Sequence, residues 1–176
     1  MEGTRAWWGY TFPDYDTDNA GEHAAKVTAY DSKVETGNET PCQMLLVTPA
    51  LDFENAKSKY FTFRVMGQNM TDDMTDQLEL CYIWLDGEEM HVEPIKGVGI
   101  PASKDQNGEW VDFQVDLTGQ NIDPVFFMGF RFTSERGTAH SAVYYVDDVT
   151  FGSTTLPMIT TDRQEVIIQA EPETPL

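Results

Sequence analysis

The chain has 176 residues, 40% of them hydrophobic and 12% aromatic. It can therefore bury one well-formed core, but it is too short for two ordinary domains. Thirty acidic residues against eleven basic ones give a formal charge of -19. This charge repels nucleic acid and anionic membrane surfaces, and we therefore exclude nucleic acid as a partner. Most of the carboxylates are expected to keep the surface soluble, and they also suit a protein that binds divalent cations.

The first residues contain no basic start followed by an apolar run, and no segment approaches membrane-spanning length. We expect the chain as given to be soluble and monomeric, with any targeting segment already removed. Two cysteines, Cys42 and Cys81, are too few for a disulfide framework and lack metal-ligand spacing. Two alternatives stay open for the cysteines: a disulfide between them, or two buried or half-buried thiols.

A first short strand is predicted over Gly9 to Phe12. Carboxylates then alternate at Asp14, Asp16 and Asp18, shortly before Gly21. Such spacing resembles the start of a calcium loop, because hard cations need several oxygen ligands converging from a tight turn. The bidentate Glu that completes an EF-hand loop is missing, and no helical pattern flanks the segment. Two alternatives stay open for this segment: a calcium loop, or an Asp-rich surface turn.

Strand-like runs follow at regular intervals. They span residues 26–30, 44–47, 60–66, 78–85, 89–93, 110–117, 125–132 and 142–151. Asp86-Gly87 is a tight-hairpin signal, and Asn107-Gly108 marks another turn. Apolar residues nowhere recur at helical spacing over three turns. The pattern predicts an all-β fold, an antiparallel sandwich or barrel.

Alternation along these runs predicts which residues face the core. It is clearest over 110–117, where Val111, Phe113, Val115 and Leu117 share one face. The predicted core residues are Val111, Phe113, Val115, Phe126, Met128, Phe130, Val146 and Val149.

The last of these strands, Ala142 to Phe151, carries two adjacent carboxylates, Asp147 and Asp148. Alternation turns one of them inward unless a bulge intervenes. Because an unpaired buried carboxylate costs several kcal/mol, the inward one needs backbone N–H groups, an Arg or a cation as its partner.

Beyond Gly152 the composition of the sequence changes. Residues 153–176 are predicted to be a linker and a tail, or the start of a following domain, and to be dispensable for the sandwich.

Several short motifs occur in a consistent order over residues 9–152. They are Gly9-Tyr-Thr11, Asp14-x-Asp-x-Asp18, Leu46-Val-Thr-Pro-Ala-Leu-Asp52, Phe61-Thr-Phe63, Leu78-Glu-Leu80, Trp110 to Leu117, Phe130-Arg-Phe132 and Tyr145-Val-Asp-Asp-Val149. In this order they resemble the choice-of-anchor J and cleaved-adhesin group, jelly-roll modules of surface and secreted proteins, mostly from Bacteroidetes, related in fold to MAM domains and carbohydrate-binding modules. Leu45 and Tyr10 stand where that group usually has Trp, and both keep an apolar body.

The resemblance implies an antiparallel jelly-roll β-sandwich over residues 9–152. It also implies a non-catalytic adhesion or carbohydrate-binding module, secreted or at the cell surface, whose partner is a glycan or a host or extracellular protein. Structural calcium occurs in some members. Carried over, the inward carboxylate is Asp147, and we predict a calcium ion held between it and Asp14, Asp16 and Asp18. The alternatives are an accessory or spacer domain of a larger secreted hydrolase and a glycoside-active enzyme.

Enzymatic motifs are missing from the sequence. There is no nucleophile elbow, zinc-protease motif or phosphate loop, and His23, His91 and His140 are isolated. A carboxylate pair for glycoside hydrolysis stays open among thirty acidic residues. We therefore predict a binding protein and no enzyme.

A ligand site is predicted from strand direction. If successive strands run antiparallel, the loops over residues 67–77, 94–109 and 133–141 gather at one end of the sandwich. The candidate ligand-binding residues there are Asn69, Asp72, Asp73, Arg136, His140 and Trp110. Sugars stack on aromatic faces and bond to such polar groups. The alternative is that Trp110 only caps the edge of the core.

Overall fold

The computed structural model describes residues 6–14, 16, 18–30, 41–72, 74–101, 104–135 and 141–152, and the backbone of residues 165–169. Two β-sheets pack face to face, and the predicted β-sandwich is confirmed. Within these ranges there is no α-helix, only a 3-10 turn at Lys104–Gln106. No helix in the described part of the chain is long and apolar enough to cross a membrane.

Within the described ranges, eleven strands build the two sheets. They are β1 (Trp8–Thr11), β2 (His23–Thr28), β3 (Cys42–Val47), β4 (Leu51–Asp52), β5 (Tyr60–Gln68), β6 (Gln77–Asp86), β7 (Glu89–Pro94), β8 (Trp110–Asp116), β9 (Val125–Ser134), β10 (Val143–Phe151) and β11 (Glu165–Gln169).

The six-stranded sheet has the order β1-β2-β10-β5-β8-β11, and the second sheet has the order β3-β9-β6-β7, with β4 also pairing with β9. All of these pairs are antiparallel except β11, which runs parallel to β8. Part of the predicted tail is thus a strand at the edge of the larger sheet. Whether the sandwich needs it stays a prediction.

The main core lies between the sheets and is built from alternate residues of each strand. Phe63 of β5 stacks on Phe113 of β8 with ring centroids 4.8 Å apart, and it meets Phe130 of β9 edge to face at 5.1 Å. The predicted core residues that are buried are Phe113, Val115, Phe126, Met128, Phe130 and Val146, and Val111 is partly buried against them.

Val149 was predicted to be in the core, and this is wrong: its side chain is 40% exposed. The cause is a β-bulge in β10, where the pairing with β5 shifts between Asp147 and Thr150 and Asp148 takes a positive φ of 51°. Val149 lies within the bulge, outside the regular alternation, and beyond the bulge the phase of the alternation is reversed. Phe151 therefore points back into the core.

The two cysteines lie on opposite faces of the second sheet. Cys42 packs against the main core, whereas Cys81 is on the outer face with Ile83, two strands away. Two strand spacings are about 10 Å, beyond the reach of a disulfide. Neither cysteine is in a disulfide, and burial raises the pKa of Cys81 to about 11.

Because Gly129 of β9 has no side chain, neighbouring side chains on the outer face of the second sheet pack directly over it. A Cβ atom there would lie 2.5 Å from Ile83 Cδ1, 3.1 Å from Leu45 Cδ1 and 3.3 Å from the Leu46 carbonyl oxygen. We predict that Gly129→Ala lowers the free energy of unfolding by about 1–3 kcal/mol, because side chains must shift to admit the methyl group.

Urea denaturation measures this loss. Gly99→Ala is the matched control, since nothing lies within 4 Å of a Cβ at that position. Equal stability of the two variants would show that the outer face has room and would contradict the prediction.

Candidate functional site

The loops predicted to form a binding end do come together. Asn107 donates from Nδ2 to the Met70 carbonyl oxygen at 3.1 Å and accepts from the Met70 backbone N–H at 2.9 Å. The two loops after β5 and β7 are therefore fixed to each other by a pair of hydrogen bonds.

Asp76 joins this end of the sandwich to β10 and was not singled out from the sequence. It is 4% exposed and accepts hydrogen bonds from Ser141 Oγ at 2.8 Å and the Ala142 N–H at 2.7 Å. Ser141 Oγ in turn accepts from the Ala29 N–H at 2.9 Å. Fully bonded in this way, the carboxylate serves to hold three segments together.

The three predicted ligand-binding residues that the structure describes, Asn69, Asp72 and Trp110, make separate contacts. Asn69 is exposed at a turn, and Asp72 forms an ion pair with Lys104. Trp110 makes its contacts on the outer face of the six-stranded sheet, with Arg64, Phe12 and other residues of that face. The three remaining residues, Asp73, Arg136 and His140, lie outside the described residues.

Arg64, on β5, is the centre of the outer face of the six-stranded sheet. Its side chain is 7% exposed, and Nη2 donates to Glu22 Oε2 at 2.7 Å and to Asp147 Oδ2 at 2.9 Å. Asp148 Oδ2 is 3.2 Å from Nε. Burial alone would lower the pKa of Arg64, but the bond to Asp147 and the charges of Asp148 and Glu22 raise the pKa above its usual value. One buried cation thus meets three carboxylates.

The bulge explains why both aspartates reach the same guanidinium. Asp147 is in register with Arg64, and the extra residue puts Asp148 beside it, where its N–H donates to Asp147 Oδ1 at 2.8 Å. Alternation predicted that one of the two would turn inward. Instead, both belong to the outer face, and Arg is the partner.

The Asp-rich loop is tied to the same place through Trp110. The Arg64 guanidinium lies 4.4 Å from the Trp110 ring centroid, a cation–π distance. Trp110 Nε1 donates to Asn19 Oδ1 at 2.8 Å, and Asn19 Nδ2 donates to Asp16 Oδ1 at 3.1 Å. Asp14 and Asp18 are exposed.

These contacts join the N-terminal segment to the last strand, which is the role that was predicted for calcium from the sequence. Among the described residues, no three His, Cys, Asp or Glu side chains come together in a way that could hold a metal ion. Asp147 no longer requires a cation, because Arg64 neutralises it. The calcium ion itself stays a prediction.

A row of side chains crosses the same outer face. Cross-strand pairing places Trp8 of β1, Lys26 of β2, Tyr145 of β10, Met66 of β5 and Trp110 of β8 in one line. Five strands span about 19 Å. This row is long enough for an extended ligand such as a short oligosaccharide.

Phe12 covers the middle of the row. It is 2% exposed and packs on Tyr145 at 5.0 Å and towards Trp110 at 6.2 Å between ring centroids. The end formed by β1 and β2 is open, because Trp8 is 41% exposed and Tyr10 and Lys26 are only half-buried. We call Trp8, Tyr10 and Lys26 the β1–β2 surface.

Beside the β1–β2 surface lies an open groove of about 480 Å³. It is lined by Tyr10, Thr11, His23 and Asp147 together with small residues. Thr11 Oγ1 and His23 Nδ1 are hydrogen-bonded at 2.8 Å. An aromatic ring, a hydroxyl, an imidazole and a carboxylate therefore border one concave surface.

From the sequence, Tyr10 was expected only to keep an apolar body, and Trp8 and Lys26 were not predicted as functional residues. A signal was present, since Trp7 and Trp8 are adjacent and successive side chains of an extended chain face opposite ways. Trp7 packs against the main core and donates from Nε1 to the Met44 carbonyl oxygen at 3.3 Å. Trp8 therefore faces out.

A second aromatic group, on β6 and β7, is closed to a flat ligand. Trp84 stacks on Tyr82 with centroids 5.1 Å apart and on His91 at 5.0 Å, with planes 20° and 14° from parallel. These rings stack on one another, so their faces are not available to a ligand. The β1–β2 surface is the better candidate for recognising an outside partner.

Comparisons with known protein families and with characterised proteins find no match to this chain.

We predict that Arg64→Met lowers the free energy of unfolding by about 2–3 kcal/mol, because Glu22, Asp147 and Asp148 lose their shared counter-charge. Asp147→Asn should cost about 1 kcal/mol or less, because Arg64 keeps two of its three carboxylates. Urea denaturation at low salt measures both. If Asp147→Asn proves the more damaging, Arg64 is not the main partner of that carboxylate.

The calcium prediction is tested separately by thermal melting with EGTA and with added calcium. An ion bound only to the folded state stabilises it by about 2.7 kcal/mol at a hundredfold excess over Kd. A bound ion therefore predicts a melting temperature several degrees lower in EGTA, an effect abolished by Asp16→Asn or Asp147→Asn. Equal melting curves in EGTA and calcium would leave Arg64 as the sole counter-charge and would refute the ion.

Proposed function

We propose that this protein is a non-catalytic binding module that captures glycans on its β1–β2 surface. The observation that carries the proposal is the combination of an exposed indole, a half-buried phenol and an open polar groove on two adjacent strands. Aromatic faces bind the apolar faces of sugar rings, and a few placed polar groups bind the hydroxyls. Of the polar groups that line the groove, Asp147 lies on the same face of the sheet as Trp8 and Tyr10, and Thr11 and His23 lie on the opposite face of β1 and β2.

A jelly-roll topology is part of the proposal. Eight of the strands form the orders β2-β10-β5-β8 in one sheet and β3-β9-β6-β7 in the other, so that the chain changes sheet at each step except the β6–β7 hairpin. This is the order expected when four successive antiparallel pairs wrap around a barrel. It supports the resemblance to the choice-of-anchor J and cleaved-adhesin group.

With that resemblance we propose a secreted or cell-surface location and a role in adhesion, carried out as part of a larger surface protein or hydrolase. The groove holds one carboxylate, Asp147, and Arg64 already binds it. Glycoside hydrolysis generally needs two carboxyl groups facing each other across the bond, so the groove favours binding over catalysis.

Trp8→Ala is predicted to weaken glycan binding about tenfold or more, because the exposed indole supplies the stacking face. A glycan array with the wild-type protein finds the ligand, and isothermal titration with the best glycan gives the affinity of each variant.

Leu85→Ala is the matched control. Leu85 is also an exposed apolar residue, 56% exposed, but it lies on the other sheet. No binding on the array would contradict the proposal and favour a spacer domain. Release of product from an oligosaccharide would favour an enzyme. Equal losses in the two variants would place the site elsewhere.

A further inference from the structure

The outer face of the six-stranded sheet holds two cations in aromatic surroundings, and they are partnered differently. Arg64 lies against Trp110 and meets three carboxylates. Lys26 lies at the opposite end of the same aromatic row. Within the described part of the chain, no Asp or Glu forms an ion pair with it.

Aromatic rings surround the Lys26 ammonium on several sides. Nζ is 4.1 Å from the Tyr10 ring centroid, 5.1 Å from that of Tyr145 and 5.7 Å from that of Trp8. The rings stabilise a cation by their quadrupoles, but they give it no hydrogen-bond acceptor comparable to a carboxylate. Burial also lowers the pKa of Lys26.

This arrangement stands out in a chain with thirty acidic and eleven basic residues. A bound anion would therefore replace the stabilisation of the Lys26 charge that burial removes. It would also be drawn specifically to Lys26, because the rest of this surface and the Arg64 end carry negative charge that repels it.

We infer that Lys26 makes the β1–β2 surface selective for anionic glycans, whose carboxylate or sulfate binds the ammonium while a sugar ring lies on Trp8. The inference rests on the proposed glycan-binding function and adds the ligand class to it. The anionic group sits at the Lys26 end of the row. Asp147 at the far end disfavours the reverse orientation.

Matched pairs of ligands test the charge directly. The probes are trigalacturonic acid and its methyl ester, sialyllactose and lactose, and a κ-carrageenan oligosaccharide and its desulfated form. We expect the wild-type protein to bind an anionic member about tenfold or more tightly than its neutral partner, with affinity falling as salt is raised. The three pairs also distinguish a carboxylate from a sulfate as the recognised group.

Lys26→Met should abolish the preference for the anionic member of each pair, because it removes the charge while keeping an aliphatic stem against the rings. Lys26→Arg should retain it. Lys104→Met is the control for net charge, because it removes one positive charge from an exposed side chain outside the site, 52% exposed. Melting curves verify that each variant is folded.

Equal binding of both members of every pair would overturn the inference and leave the proposed function standing if neutral glycans bind. A loss of preference in Lys104→Met as large as in Lys26→Met would also overturn it, because the effect would then come from overall charge. No binding to any glycan, in these pairs or on the array, would overturn the inference and the proposed function together.

Discussion

The outer face of the larger sheet depends on one buried guanidinium. Arg64 is almost inaccessible to solvent, yet its charge is compensated by residues from separate parts of the chain: Glu22 just before β2, and Asp147 and Asp148 at the bulge of β10. A buried cation without such partners would be strongly destabilising. The guanidinium therefore fixes where β2 and β10 lie relative to β5, and its contact with Trp110 extends this order to β8.

The same cluster explains how an Asp-rich segment remains attached to a strongly acidic protein. Asp16 is held by Asn19, Asn19 by Trp110, and Trp110 by Arg64, so the segment between β1 and β2 folds down over the outer face. Phe12 is buried there as a consequence. Covering the middle of the aromatic row in this way leaves its β1–β2 end open to solvent.

The two ends of the row thus have different roles. At the Arg64 end the charge is satisfied internally and the ring of Trp110 is in use, so the contacts stabilise the fold. At the Lys26 end the rings are partly exposed, the ammonium has no carboxylate partner among the described residues, and a polar groove lies alongside. A surface that is ordered but incompletely satisfied is suited to a ligand that completes it.

The sequence by itself determined the all-β class, most of the strands and most of the core, because alternation is a local property of each strand: Phe113, Val115, Phe126, Met128 and Phe130 are buried as predicted. It also showed that a carboxylate of the last strand needs a partner. Only the tertiary structure decided which partner, since Arg64 lies 83 residues from Asp147 in the chain. Val149 was misassigned because a bulge depends on pairing with β5, which strand periodicity does not contain. Lys26, Trp8 and Tyr145 likewise become neighbours only through the register of three strands, because that register is set by the packing of the whole sheet.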